Sequence, residues 1–132
     1  MPKRVDHVAR RREIAAVAAD LIARGGLEAA TIREIAAACG YSKGVVEHYF
    51  VDKQELISGA LDWINACYAE RVAAATDGLE GLAALRRRAE ATVPLDRTVR
   101  SEWRVRLVFW SVAAIDDKLR RAQAIRSDRA VK

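Results

Sequence analysis

Residues 31–50 read TIREIAAACGYSKGVVEHYF, two helical patterns separated by one glycine. Each pattern carries its own start signal. Thr31 and Glu34 stand in the T-x-x-E spacing of a capping box. Ser42, a favoured N-cap residue, opens the second pattern, which runs to about Tyr49. Gly40 stops the first. Helices shorter than ~12–15 residues are marginal alone in water, so both stubs must be held by packing. Ile32, Ile35 and Ala36, then Val46 and Phe50, supply the apolar side chains for it. Two stubs joined at a glycine turn and braced by a longer helix describe a helix-turn-helix. A major groove ~12 Å wide admits one such helix, and a stub presents the few side chains that suffice there. The N–H groups at the start of the preceding helix, with Arg33 one turn in, suit a phosphate.

The flanking sequence supplies the brace. Ile14, Val17, Ala18, Leu21 and Ile22 recur at helical spacing, predicting an amphipathic helix over residues 6–24. Gly25-Gly26 ends it, and Leu27 plugs the connection. Asp52 and Glu55 form a second capping box. Behind it Leu56, Ile57, Ala60, Leu61, Ile64, Tyr68 and Val72 keep one stripe to about Thr76. A helix of that length spans ~36 Å, too long for one small lobe and able to join two. Gly78 breaks it. A fifth helix over residues 79–93 carries Leu82 and Leu85 and closes before Pro94. A sixth, over residues 97–114, has Trp103, Leu107, Val108 and Trp110 on its apolar side. Asp116 and Asp117 open a seventh that runs off the end through Leu119 and Ile125. No repeat, low-complexity tract or β-type alternation appears. With two prolines and seven glycines in 132 residues, the chain is expected to be all-helical and to bury a core without staples.

Net charge is +5, which favours polyanionic partners. The charge does not locate a site. Across residues 31–56, Arg33, Lys43 and Lys53 face Glu34, Glu47, Asp52 and Glu55, a net of −1. The excess lies in Lys3, Arg4, Arg10, Arg11 and Arg12, and after Arg86. Residues 97–132 hold ten Lys or Arg against four Asp or Glu. Arg86-Arg87-Arg88 reads as a solvated helix face. Cys39 and Cys67 form no ligand spacing with His7 or His48, so a reduced, intracellular pair is expected. No apolar run reaches ~18 residues and no signal pattern opens the chain, predicting a soluble cytoplasmic protein without membrane contact. No nucleophile–base pair, phosphate loop or metal constellation is present. An enzyme, a cofactor and a metal are therefore not expected, and His48 stands alone.

The run T-I-R-E-I-A-x-x-C-G-Y-S-K-G-V-V-E-H-Y-F-x-D-K-x-x-L resembles the DNA-binding segment of the tetracycline-repressor-like (TetR) transcription regulators. The likeness reaches back to the first helix and its Gly-Gly exit, covering about residues 10–61. It implies a helix-turn-helix DNA-binding domain over residues 1–51. It also implies a helical regulatory domain over residues 52–132, holding a small-molecule pocket, with operator release when an effector binds. In such a protein the ligand tilts the connecting helix. The two recognition helices of a homodimer then no longer match half-sites ~34–36 Å apart. Double-stranded DNA and an apolar or aromatic effector are the implied partners.

Residue by residue, the resemblance places Thr31 and Arg33 at the DNA from the second helix. Ser42 caps the recognition helix, Lys43 reaches a base edge or phosphate, and Gly44 allows close backbone approach. Val45 meets a thymine methyl, His48 or Tyr49 offers a phosphate hydrogen bond, and Lys53 reaches a phosphate. Glu47 departs from the family, where tyrosine is common. It reads a base, pairs with Lys43, or is plain surface. Trp63, Cys67, Trp103 and Trp110 are the candidate lining of the pocket. The family is usually longer, and its last two helices form the dimer interface. Here the sequence ends inside the seventh helix, as a truncated product or as a short variant that dimerises differently. Rival readings are a DNA-binding regulator without an effector and a helical interaction module.

Overall fold

The computed structural model describes residues 3–131, and side chains from Asp6 onward. Among these residues the secondary structure is helical throughout: α1 (Lys3–Gly25), α2 (Ile32–Cys39), α3 (Lys43–Tyr49), α4 (Lys53–Thr76), α5 (Gly81–Thr92), α6 (Arg97–Ala113) and α7 (Asp117–Val131), with a 3-10 turn at Leu27–Ala29. The starts follow local chemistry. Thr31 Oγ1 accepts the Glu34 N–H at 3.1 Å, Ser42 Oγ that of Val45 at 3.2 Å, and Asp52 Oδ1 that of Glu55 at 2.8 Å. The Glu55 carboxylate answers by accepting the Val51 N–H at 2.9 Å. Asp96 and Asp116 serve the first turns of α6 and α7 in the same way. Gly40 ends α2 at φ 75°, a left-handed conformation that disfavours any residue with a Cβ.

The core gathers around α1 and α4. Ile14, Ala18 and Ile22 of α1 are buried against Leu56, Ile57, Ala60, Leu61 and Ile64 of α4. Ile35 and Ala36 from α2, and Val46, Tyr49 and Phe50 from the α3 segment, close one end of this cluster. Val105, Phe109 and Ala113 of α6 and Leu119 of α7 complete the cluster. The stripe read along α4 is buried only as far as Ile64; Tyr68 and Val72 are half-buried. Beyond it, contacts turn polar. Tyr68 Oη and Thr92 Oγ1 lie 2.9 Å apart, and Trp103 Nε1 donates to the Thr92 carbonyl at 2.9 Å, which anchors the end of α5.

Two expectations are corrected. On α6, Trp103, Leu107 and Trp110 do share a face, but the buried face is another: Val99, Glu102, Val105, Phe109 and Ala113. Leu107 is 58% exposed and Trp110 42%. The reason is a long-range ion pair. Glu102, 4% exposed, receives Arg71 of α4 bidentately at 2.7 and 2.9 Å, and Arg106 lies 3.7 Å away. That pairing turns the Glu102 face inward. On α5, Leu82 and Leu85 are exposed and the helix buries no residue.

Candidate nucleic-acid interface

α3 is held from behind and open in front. Val46 and Phe50 are fully buried, while Ser42, Lys43, Gly44, Glu47 and His48 are exposed. Thr31 and Arg33 at the start of α2 and Lys53 at the start of α4 are exposed too. Val45 is half-buried and packs on the core, so only part of its side chain is available for contact. Of the alternatives His48 and Tyr49, Tyr49 is 8% exposed and belongs to the core. Its ring is covered by His7 at 4.6 Å between centroids. His48 is the exposed member. Glu47 stands 3.6 Å from Lys43, which selects the ion-pair alternative in the unbound chain. Both side chains are at least half exposed, so the pair contributes ~0.3–0.5 kcal/mol and leaves Lys43 free to move.

Sequence reasoning missed the hold that α1 has on α3. Arg11 Nη1 donates to the Tyr49 carbonyl at 2.6 Å, and its guanidinium lies 4.4 Å over the Phe50 ring. A cation on the last carbonyls of a helix both satisfies an orphan acceptor and opposes the helix dipole. The His48 ring is not isolated either: His7 meets it edge-on at 5.6 Å. The only signal in the sequence was the basic cluster at residues 10–12, which composition could not distinguish from a solvated face. Tyr41, just after the turn, donates to Glu13 at 2.7 Å, and that hydrogen bond is the main reason its phenol is pushed up from the ordinary value.

The four candidate pocket residues separate. Trp63 and Cys67 line one cavity of about 290 Å³ between α1, α4 and α6. Trp103 and Trp110 do not; they stack edge-to-face at 6.2 Å on the outer side of α6. The physical reason is again the inward turn of Glu102, three residues from Val105 on the buried stripe. Arg106 already lies over the Tyr68 ring at 5.4 Å and the Trp103 ring at 5.3 Å. Burial, then Glu102 and Glu70, push the Cys67 thiol up from its ordinary value, which keeps it a packing group rather than a nucleophile. Burial likewise raises Cys39, with Glu13 adding to it. Both cysteines are free. Among the described residues, no helix is long and apolar enough to cross a membrane.

A family profile described as bacterial regulatory proteins, tetR family, matches residues 14–60. The transcriptional repressor KstR2 of Mycobacterium tuberculosis is 38% identical over 80 residues, which cover 58% of this chain and 40% of that protein. The transcriptional regulator BetI of Klebsiella pneumoniae is 31% identical over 132 residues, 98% of this chain and 68% of its own length. The chain thus spans well under half the length of some relatives and about two thirds of others. A crystal structure of a regulator from Saccharomonospora viridis, solved with choline, superposes with a TM-score of 0.77 at 27% identity, covering 92% of this chain and 64% of that one.

Proposed function

The chain belongs to the tetR family of bacterial regulatory proteins, and from that premise we propose that it is a ligand-responsive, DNA-binding transcriptional regulator that acts as a repressor. It works as a cytoplasmic homodimer and as a binding protein, not an enzyme. Residues 1–51 form the DNA-binding part and residues 52–132 the regulatory part. The observation that carries the reading is the posture of α3. Its apolar residues are sunk in the core, Arg11 clamps its last turn, and Lys43, Gly44, Glu47 and His48 face outward.

In use, Ser42 keeps the first turn of α3 formed and Gly44 lets its backbone approach the groove. Lys43 leaves Glu47 for a base edge or phosphate, an exchange that costs little because the pair is exposed. Glu47 then faces a cytosine amino group or stays at the rim. Thr31, Arg33, His48 and Lys53 fix register through phosphates. The effector is a small organic molecule bound against α1, α4 and α6. The choline in the Saccharomonospora neighbour supports an effector of that size. Choline itself is not proposed for this chain, because the Arg106 guanidinium already lies over the Tyr68 ring and the Trp103 ring, where a cation would be received.

The test is a mobility shift with duplex DNA from the region upstream of the protein's own coding sequence, repeated across salt concentrations. Binding with a steep salt dependence is expected, and Lys53→Ala should flatten the slope by about one unit for all sequences alike. Absence of any shift by the intact, folded protein refutes the proposal.

A further inference from the structure

Next to the Trp63 cavity lies a second, larger one of about 510 Å³ between the end of α1 and the start of α6. Its wall is almost wholly charged: Arg24 from α1, Arg97, Arg100 and Arg104 from α6, and one carboxylate, Asp20. Four guanidinium groups against one carboxylate leave a formal +3 around one space. Asp20 is engaged by Arg24 at 2.9 Å, and Arg104 donates only a long 3.5 Å hydrogen bond to the Ala23 carbonyl. Among the described residues, Arg97 and Arg100 form no ion pair. The two cavities adjoin, with Asp20, Ala23, Arg97 and Ser101 on the walls of both. Past those shared residues the wall carries Trp63, Ile64, Cys67 and Val105, together with Thr98 and the Glu102 carboxylate, whose charge Arg71 already meets at 2.7 Å.

We propose that this joint cavity binds an amphipathic anion: an alkyl or acyl group seated against Trp63, Ile64 and Val105, ending in a phosphate or carboxylate held by Arg97 and Arg100. A planar guanidinium fork is the side chain that grips such oxygens bidentately, and an apolar cleft with a few convergent polar groups is the ordinary form of a small-molecule site. The net positive wall rejects cations with the same tail. Because Asp20, Ala23 and Arg24 of α1 line the same space as the α6 arginines, the bound molecule sits between the two helices and responds to their relative position. That last consequence rests on the regulator reading above, deepening it by naming the effector class; the binding itself does not.

The experiment is calorimetry on the intact chain without DNA. The probe is octyl phosphate below its micellar range, compared with octyltrimethylammonium, octanol, inorganic phosphate and phosphatidic acid vesicles. Octyl phosphate is expected to bind at least tenfold more tightly than either half alone, with no binding of the cation. The exposed Arg97→Gln/Arg100→Gln pair should weaken it about tenfold or more at unchanged Tm, as charge-assisted hydrogen bonds are lost. Asp20→Asn should tighten it several-fold by freeing Arg24. Equal binding of the cation, no effect of the arginine pair, or weaker binding in Asp20→Asn overturns the proposal. Binding to vesicles but not to the monomeric probe overturns it too, in favour of a membrane surface. A loss of DNA binding by Arg97→Gln/Arg100→Gln without ligand reassigns these arginines to DNA. None of these failures touches the mobility-shift result, so the two readings fail separately.

Discussion

Gly59, in the second turn of α4, is where the α3 segment is seated on the long helix. A Cβ there would meet Phe50 Cε1 at 2.5 Å, Cζ at 3.1 Å and Cδ1 at 3.5 Å. Phe50 directly follows α3, is fully buried, and has the Arg11 guanidinium 4.4 Å over its ring. Gly59→Ala therefore sets two effects against each other. Replacing glycine inside a helix gains ~1 kcal/mol of helix propensity. Forcing the ring back by about 1 Å or more costs ~1–3 kcal/mol of overpacking. The ring has somewhere to go, because a cavity of about 210 Å³ lined by Arg11, Ala15, Phe50, Gly59 and Trp63 adjoins it. We expect a net destabilisation of ~0–2 kcal/mol, read by urea unfolding, and a weaker hold on DNA because the shift also moves the end of α3. The decisive measurement is a double-mutant cycle with Phe50→Leu. That change lowers stability by itself but removes the ring edge, so adding Gly59→Ala should now stabilise by ~1 kcal/mol. If Gly59→Ala stabilises in the presence of Phe50 as much as in its absence, the seat is not steric and the reasoning is wrong.

Three other perturbations follow from single sites. Glu102→Gln leaves Arg71 and Arg106 without their buried carboxylate and should cost, at the lower end, ~3 kcal/mol in unfolding free energy; a loss under ~1 kcal/mol would mean the Glu102 face is seated by packing alone. Gly40→Ala puts a Cβ at φ 75° with open space around it, so only backbone strain acts, and ~1 kcal/mol of stability should be lost with no change in Val46 or Phe50 burial by hydrogen exchange. Asp116 is held below its ordinary value chiefly by accepting the Leu119 N–H. Its folded value is depressed, so its contribution is present above the ordinary carboxylate range and fades as pH falls through the lowered one; Asp116→Asn should flatten that acid limb in denaturation midpoints followed from pH 5 to pH 2.

The parts legible in the sequence are those decided within one turn of helix. Thr31, Ser42 and Asp52 each meet a backbone N–H three residues on, so their position alone marks a start. Gly40 marks the stop because of its own backbone freedom. The exposure of Lys43 and Glu47 against the burial of Val46 and Phe50 follows from helical spacing once the start is known. The same spacing puts Tyr49, three residues after Val46, on the buried side and His48 on the open one. What the spacing does not show is His7, which arrives from α1, lies against the Tyr49 ring and meets the His48 ring edge-on. The clamp by Arg11 likewise joins residues 38 apart in sequence, and no local pattern distinguishes Arg11 from Arg10 or Arg12.

α6 shows why the second half was harder. Its sequence offers two stripes at helical spacing, Trp103-Leu107-Trp110 and Val99-Val105-Phe109-Ala113, and hydrophobicity alone does not choose between them. The second stripe contains a glutamate, which ordinarily marks a solvent face. It is nevertheless the buried one, because Arg71, 31 residues earlier, supplies two short hydrogen bonds to Glu102. A buried carboxylate is tolerable only with such a partner. The choice of face thus belongs to a pair of residues on different helices. The same choice turns Glu102, Val105 and Ser101 toward the cavity shared with α1 and brings Arg97, Arg100 and Arg104 beside Arg24. One ion pair between α4 and α6 therefore sets which side chains face α1. Since α1 carries Arg11 against the end of α3, whatever shifts α6 relative to α1 acts on a helix that directly holds α3.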